Sequence, residues 1–209
     1  MTIRRHVAIA LGALAVAAPA ATAAFVSGGP GADTLTGTPA HDRILARGGD
    51  DVVQALAGND LVRLGSGDDR ADGQEGRDRL FGGPGGDTLL GGEDRDRLWA
   101  GSDDDVLEGG DGNDRLWAGA GSDSLDGGSG DDRLWAGPGD DVLEGGAGND
   151  RLWAGAGADV LRGGDGDDVQ WSLRRDGKVD SHDCGPGVDR AYVRPGDTTV
   201  NCEVVISLP

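Results

Sequence analysis

From Gly28 to Trp171 the chain reads in units of nine residues without one insertion: GGPGADTLT, GTPAHDRIL, ARGGDDVVQ, ALAGNDLVR and onward to GGDGDDVQW. There are sixteen units. Position six is Asp in every one, position eight is Leu, Ile, Val or Ala in fifteen, position four is Gly in thirteen and position two is Gly in twelve. A fixed period of this kind marks a repeat architecture, because one unit buries a single aliphatic side chain and folds only by stacking on its neighbours.

The unit itself predicts the geometry. Positions one to six are rich in glycine and turn tightly. Positions seven to nine read as a short strand, with the aliphatic residue of position eight pointing in and its two neighbours pointing out. Two units make one coil of a flattened solenoid, so each strand lies parallel to the strand eighteen residues later, about 4.8 Å away. Eight coils predict a rod of about 38 Å at that spacing. The expected fold is all-β, a parallel β-roll of two sheets with eighteen residues per coil.

Stacking also gathers the aspartates. Asp33, Asp51, Asp69, Asp87, Asp105, Asp123, Asp141 and Asp159 line one edge, and Asp42, Asp60, Asp78, Asp96, Asp114, Asp132, Asp150 and Asp168 the other. Columns of carboxylates repel, and hard cations between successive turns reverse that interaction. Calcium suits, since it takes six to eight oxygens in flexible geometry. Seven intervals per edge would hold up to about fourteen ions. A net charge of -19 agrees with cations as partners and excludes nucleic acid. With 41 glycines and 4% aromatic residues an ordinary globular core is excluded, and so is collagen, which needs glycine at every third position.

The unit matches G-G-x-G-x-D-x-U-x, and its best copies are GGDGNDRLW (Gly109 to Trp117) and GGAGNDRLW (Gly145 to Trp153). The chain thereby resembles the haemolysin-type calcium-binding (RTX) repeat proteins of secreted bacterial origin. That resemblance implies a calcium β-roll, with ions held by the position-six Asp and by loop carbonyls. Thr38, Arg47, Leu56 and Gln74 depart from the pattern at position two, and Ala40, Asp94 and Asp103 at position four. Weaker sites are expected there. Ala71 thins the core, and Gln170 is polar at the last inward position.

Every second unit carries an aromatic ring at position nine: Phe81, Trp99, Trp117, Trp135, Trp153 and Trp171. Arg79, Arg97, Arg115, Arg133 and Arg151 stand at position seven of the same strands, while Asp72, Glu108, Asp126 and Glu144 mark the opposite sheet. One face is aromatic and basic, the other acidic. Stacked rings with neighbouring arginines would stabilise the sheet as a ladder. The same stripe offers a surface for a glycan or other anionic cell-surface partner, or for self-association.

The ends differ from the repeat. Arg4 and Arg5, an apolar run from Val7 to Ala18 and Ala21-Thr22-Ala23 predict a secretory signal peptide over 1–24, with 25–27 as a short lead. Its removal leaves no membrane span and makes the chain two charges more negative. Residues 172–209 are expected to cap the last coil, and Cys184 and Cys202 to pair in an oxidising, extracellular compartment. In this segment Asp180, Asp183 and Asp189 are read as a solvated loop, with a further ion site as the alternative. The chain has no H-E-x-x-H and no G-x-S-x-G, and beyond the leader only His41 and His182, so no catalytic centre is expected. The reading is a calcium-binding structural protein that folds outside the cell; the alternative is an adhesin or glycan-binding module that uses the Arg/Trp stripe.

Overall fold

The computed structural model describes residues 7–8, 22–172 and 176–209. The expected signal peptide lies mostly outside these residues; Val7–Ala8, which pairs with Val26 and Ser27, is described. Among the described residues there are only strands, arranged in two sheets of twelve and ten. Every strand pairing is parallel, and from Phe25–Ser27 onward successive strands alternate between the sheets. Through the repeat, partners are eighteen residues apart: Leu98 pairs with Leu116, and Leu107 with Leu125. This is the expected two-sheet roll.

The strands are longer than expected. Arg97–Ser102 and Arg115–Ala120 each span six residues, from position seven through position three of the next unit. The turn shrinks to positions four to six. Position one therefore points inward beside position eight, and Ala100, Ala118, Ala136 and Ala154 are buried with the leucines. The interior is a double file of Leu, thickened by Ala on the tryptophan-bearing sheet and left bare by Gly on the other.

Position two needs a left-handed backbone. Arg47 (φ 95), Leu56 (φ 78) and Gln74 (φ 73) adopt it despite carrying side chains, as do Asp94 (φ 73) and Asp103 (φ 80) at position four. Five of the seven departures from the repeat are thus strained residues held by neighbouring coils, each at a cost of about 1–2 kcal/mol. Gln74→Gly and Leu56→Gly are each expected to raise the thermal midpoint by a few degrees in calcium. Unchanged or lower midpoints would show that the strain is absent.

The C-terminal segment closes the roll by continuing it. Ser181–Asp183 and Thr198–Val200 extend one sheet, and Arg190–Val193 and Val204–Ser207 the other, all in parallel. His182 takes the inward slot after Leu161, and Ala191 the slot after Gln170. Gln170 and His182 meet across the interior, Nδ1 to Oε1 at 3.0 Å, so the apolar file ends in a hydrogen-bonded polar pair. A disulfide joins Cys184 to Cys202 beyond the ends of two neighbouring strands.

Candidate metal centre

Each position-six aspartate sits at the mouth of a turn, and all but the half-buried Asp33 are almost fully buried, from Asp42 at 4% exposed to Asp150 at 0%. Each amide donates to Oδ1 of the aspartate one coil further on. Asp96 N to Asp114 Oδ1 is 2.7 Å, and Asp114 N to Asp132 Oδ1 is 2.7 Å. The chain of bonds runs unbroken along both edges. It stacks the carboxylates in two columns and leaves one oxygen of each free.

Those free oxygens have no partner. Oδ2 of Asp51, Asp60, Asp69, Asp78, Asp87, Asp96 and Asp105 is buried without a hydrogen bond, as is Oδ2 of Asp114, Asp123, Asp132, Asp141, Asp150, Asp159 and Asp168. A buried, unpaired carboxylate oxygen costs several kcal/mol or forces the group to hold its proton. At the N-terminal end the demand is met from within. Gly29 N donates to Asp33 Oδ2, and Thr38 gives both its amide and its hydroxyl to Asp42. Thr38, a departure from the repeat, thus satisfies its carboxylate.

Along the Asp42–Asp168 edge the free oxygens face a cradle. A methyl group added to Gly109 would meet Asp114 Oδ2 at 2.6 Å and the Gly127 carbonyl, one coil on, at 2.5 Å. Gly127, Gly145 and Gly163 repeat this arrangement with Asp132, Asp150 and Asp168. A carboxylate oxygen and a carbonyl oxygen of successive coils thus approach each other over the bare glycine, with no side-chain carbon between them. On the other edge position one is Gly only at Gly28 and Gly82; elsewhere Ala46, Leu64, Ala100, Ala118, Ala136 or Ala154 already places a side-chain carbon there, as Ala55 does once on the first edge. The two edges, equivalent in the Asp spacing, differ in their inward lining.

The electrostatics agree. Burial, with a smaller contribution from neighbouring aspartates, pushes Asp96 and Asp132 up to about 8. Asp78, Asp87, Asp105, Asp159 and Asp168 rise to about 7, again chiefly by burial. The amide bonds from the preceding coil oppose the shift and do not cancel it. The metal-free columns hold protons where isolated carboxylates would be ionised. Calcium, if bound, supplies the positive charge these oxygens lack; this chain's part is to present carboxylate and carbonyl oxygens from successive coils at fixed spacing.

Several participants escape the sequence pattern. Asp180 and Asp197 extend one column (Asp159 N to Asp180 Oδ1 2.9 Å, Asp180 N to Asp197 Oδ1 3.1 Å), and Asp189 and Glu203 extend the other. Asp180 and Asp189 are buried, so the solvated-loop expectation fails for them; Asp183 is half-buried and accepts from Asn201 Nδ2. Their spacings of 21, 17 and 14 residues break the period, although each is still followed by a short strand. Ser172 takes position one at the end of the Asp33–Asp159 edge, its hydroxyl within hydrogen-bond reach of Asp180 and Asp197. At position five, Asp68, Asp104, Asp131 and Asn149 accept the amide of the next coil's position five. The prevalence of Asp and Asn there was the available signal.

The outward stripe is a continuous ladder. Successive rings from Phe81 to Trp171 stack at 4.5–4.8 Å with interplanar angles of 2–5°. Tyr192 ends it at 5.7 Å, and Arg63 covers the other end, 5.5 Å above Phe81. Arg63 forms the one cation–π contact among the described residues. The position-seven arginines form none there, because each internal ring face is already covered by the next ring.

The model of one protein family, the RTX calcium-binding nonapeptide repeat, matches the chain in four copies, over residues 27–62, 63–98, 99–134 and 135–170. Each copy spans two coils. No curated protein matches the chain. The matched copies cover the whole of both aspartate columns upstream of the C-terminal segment, and the chain belongs to the RTX calcium-binding nonapeptide repeat family.

Proposed function

We propose that this calcium-binding roll is a secreted, non-catalytic structural protein that stays unfolded at cytosolic calcium and folds on meeting calcium outside the cell. The observation that carries the reading is the double column of buried carboxylate oxygens without partners. At neutral pH those oxygens must either hold protons that the unfolded chain releases or ionise while buried, and both weaken the folded stack without a cation, so ion binding and folding share one free energy. Extracellular modules bind calcium at on the order of 10⁻⁴–10⁻³ M, which sets the switch at the cell boundary. The disulfide suits an oxidising compartment. His41 lies in an exposed turn and accepts the Asn59 amide, while His182 sits in the interior beside Gln170, an arrangement that offers neither a nucleophile nor a base beside a cleft.

Far-UV circular dichroism against calcium tests this. Expected are a disordered spectrum in chelator at neutral pH and a cooperative gain of β-structure as calcium is added. Native mass spectrometry of the same samples should show the glycine-lined edge filling before the alanine-lined edge. A β-rich spectrum indifferent to calcium would remove the reading. A second reading, an adhesin or glycan-binding module, draws on the five-arginine column beside the ladder. Stacking leaves only ring edges for such a ligand, so its recognition would rest on the arginines.

A further inference from the structure

The two outer faces of the roll are complementary to each other. On one sheet Arg79, Arg97, Arg115, Arg133 and Arg151 stand in register, one per strand, beside the ring ladder. On the other, Glu108, Asp126 and Glu144 stand in register at position nine, beside Val106, Ser124, Val142 and Val160 at position seven. Val106 and Val142 are 47% and 38% exposed. The arginine column repeats one sign at about 4.8 Å, and the acidic column does so over its three residues, between Leu90 and Arg162. The consequence is visible in the middle of both. Arg115 is pushed down by desolvation and then by Arg133, Arg97 and Arg95; Asp126 is pushed up by desolvation and then by Glu144 and Glu108.

The geometry allows one face to relieve the other. Successive strands alternate between the sheets, so the strands of the two sheets run in opposite directions. A second copy shifted sideways without rotation therefore lays its acidic sheet antiparallel to the tryptophan sheet of the first. Position seven of one copy then meets position nine of the other. Arginine faces glutamate or aspartate, and the tryptophan edges face the exposed valines. Turning the second copy end over end would instead set arginine on valine and tryptophan on glutamate. Both faces share one axial repeat, since both belong to the same eighteen-residue coil, and the pairs recur without drift. Ring planes that turn by only 2–5° per strand show a flat face, where sheets commonly twist by about 20–25°.

We propose that copies of this chain stack side by side, the Arg/Trp sheet of one on the Glu/Val sheet of the next. The contact joins different faces, so it leaves a free face at each end and builds open rows. Six strands by two columns give about 400 Å² per partner, below the range of stable specific interfaces, so the association is weak and concentration-dependent. Its charge pairing makes it weaken as salt rises.

The test is sedimentation velocity of the chain in millimolar calcium, at low and high salt, with circular dichroism on the same samples. The dichroism separates a failure of association from a failure of calcium-driven folding, on which this inference rests. Expected is an average mass that at least doubles with concentration at low salt. The triple variant Arg97→Glu, Arg115→Glu, Arg133→Glu should remain a β-rich monomer, and so should Glu108→Arg, Asp126→Arg, Glu144→Arg. Mixing the two variants should restore assembly, because each then offers the charge the other needs. A folded parent that is monomeric throughout would overturn the proposal, as would assembly that either triple variant leaves intact. Saturable binding of a linear sulfated polysaccharide to a monomeric parent, lost with the arginine variant, would also overturn it and would favour the glycan reading.

Discussion

In the presence of chelator, acidification from pH about 8 to about 4 is expected to fold this chain, the reverse of ordinary acid denaturation. The column aspartates from Asp51 to Asp168 have folded-state pKa values raised above their ordinary 3.8, up to about 8 at Asp96 and Asp132 and about 7 at Asp78, Asp105 and Asp168. Between those limits the folded state binds more protons than the unfolded one, so stability falls as pH rises. The loss starts near 3.8, where the unfolded chain ionises, and is complete once pH has passed the folded values near 8. Calcium inverts the slope, because protons and calcium compete for the same oxygens and ligands must be deprotonated to bind. Thermal melts by circular dichroism at three pH values, with chelator and with calcium, measure both slopes. Slopes of the same sign in the two conditions would show that the columns are not the calcium-responsive element.

Replacing Gly128 by valine is expected to cost more than about 3 kcal/mol and to break the roll near its centre. Gly128 has φ +94, and a Cβ there would stand 2.2 Å from the carbonyl oxygen of Gly110 in the preceding coil. That oxygen is backbone within a packed sheet and has no room to withdraw. A β-branched side chain adds its own resistance to positive φ. Each coil is stabilised only by its two neighbours, so one broken interface uncouples the coils on either side. The calcium midpoint should rise and the melt should separate into two steps. Gly31→Ala is the control: a Cβ there meets nothing within 4 Å, and the melt should not move. A Gly128→Val protein that melts like its parent would refute the close-approach argument.

The legible part of this protein is whatever recurs every nine or eighteen residues. Asp114 and Asp132 fall in one column because a constant coil length permits no other placement, and the same rule stacks Trp117 on Trp135. Within a unit, the reading missed how far the strand runs. Glycine at positions one and two suggests a turn, but in the roll these residues pair in the sheet, and Ala118 joins the core. Local composition competes there with hydrogen bonds to two neighbouring strands, and the bonds prevail. Asp180, Asp189, Asp197 and Glu203 were obscured for the opposite reason. They occupy column positions in space while the chain between them changes length.

The amino-acid sequence alone determined the coil, the two sheets, the residues of both columns and the signs of the two faces, since each follows from a period that stacking must respect. Only the tertiary structure decided which carboxylate oxygen is spent on the neighbouring coil and which is left bare, that Gly109 opens a cradle where Ala100 closes one, and that the C-terminal segment winds onward. These depend on where atoms of adjacent coils come to rest, and a one-dimensional repeat carries the order of the residues but not the distances between coils.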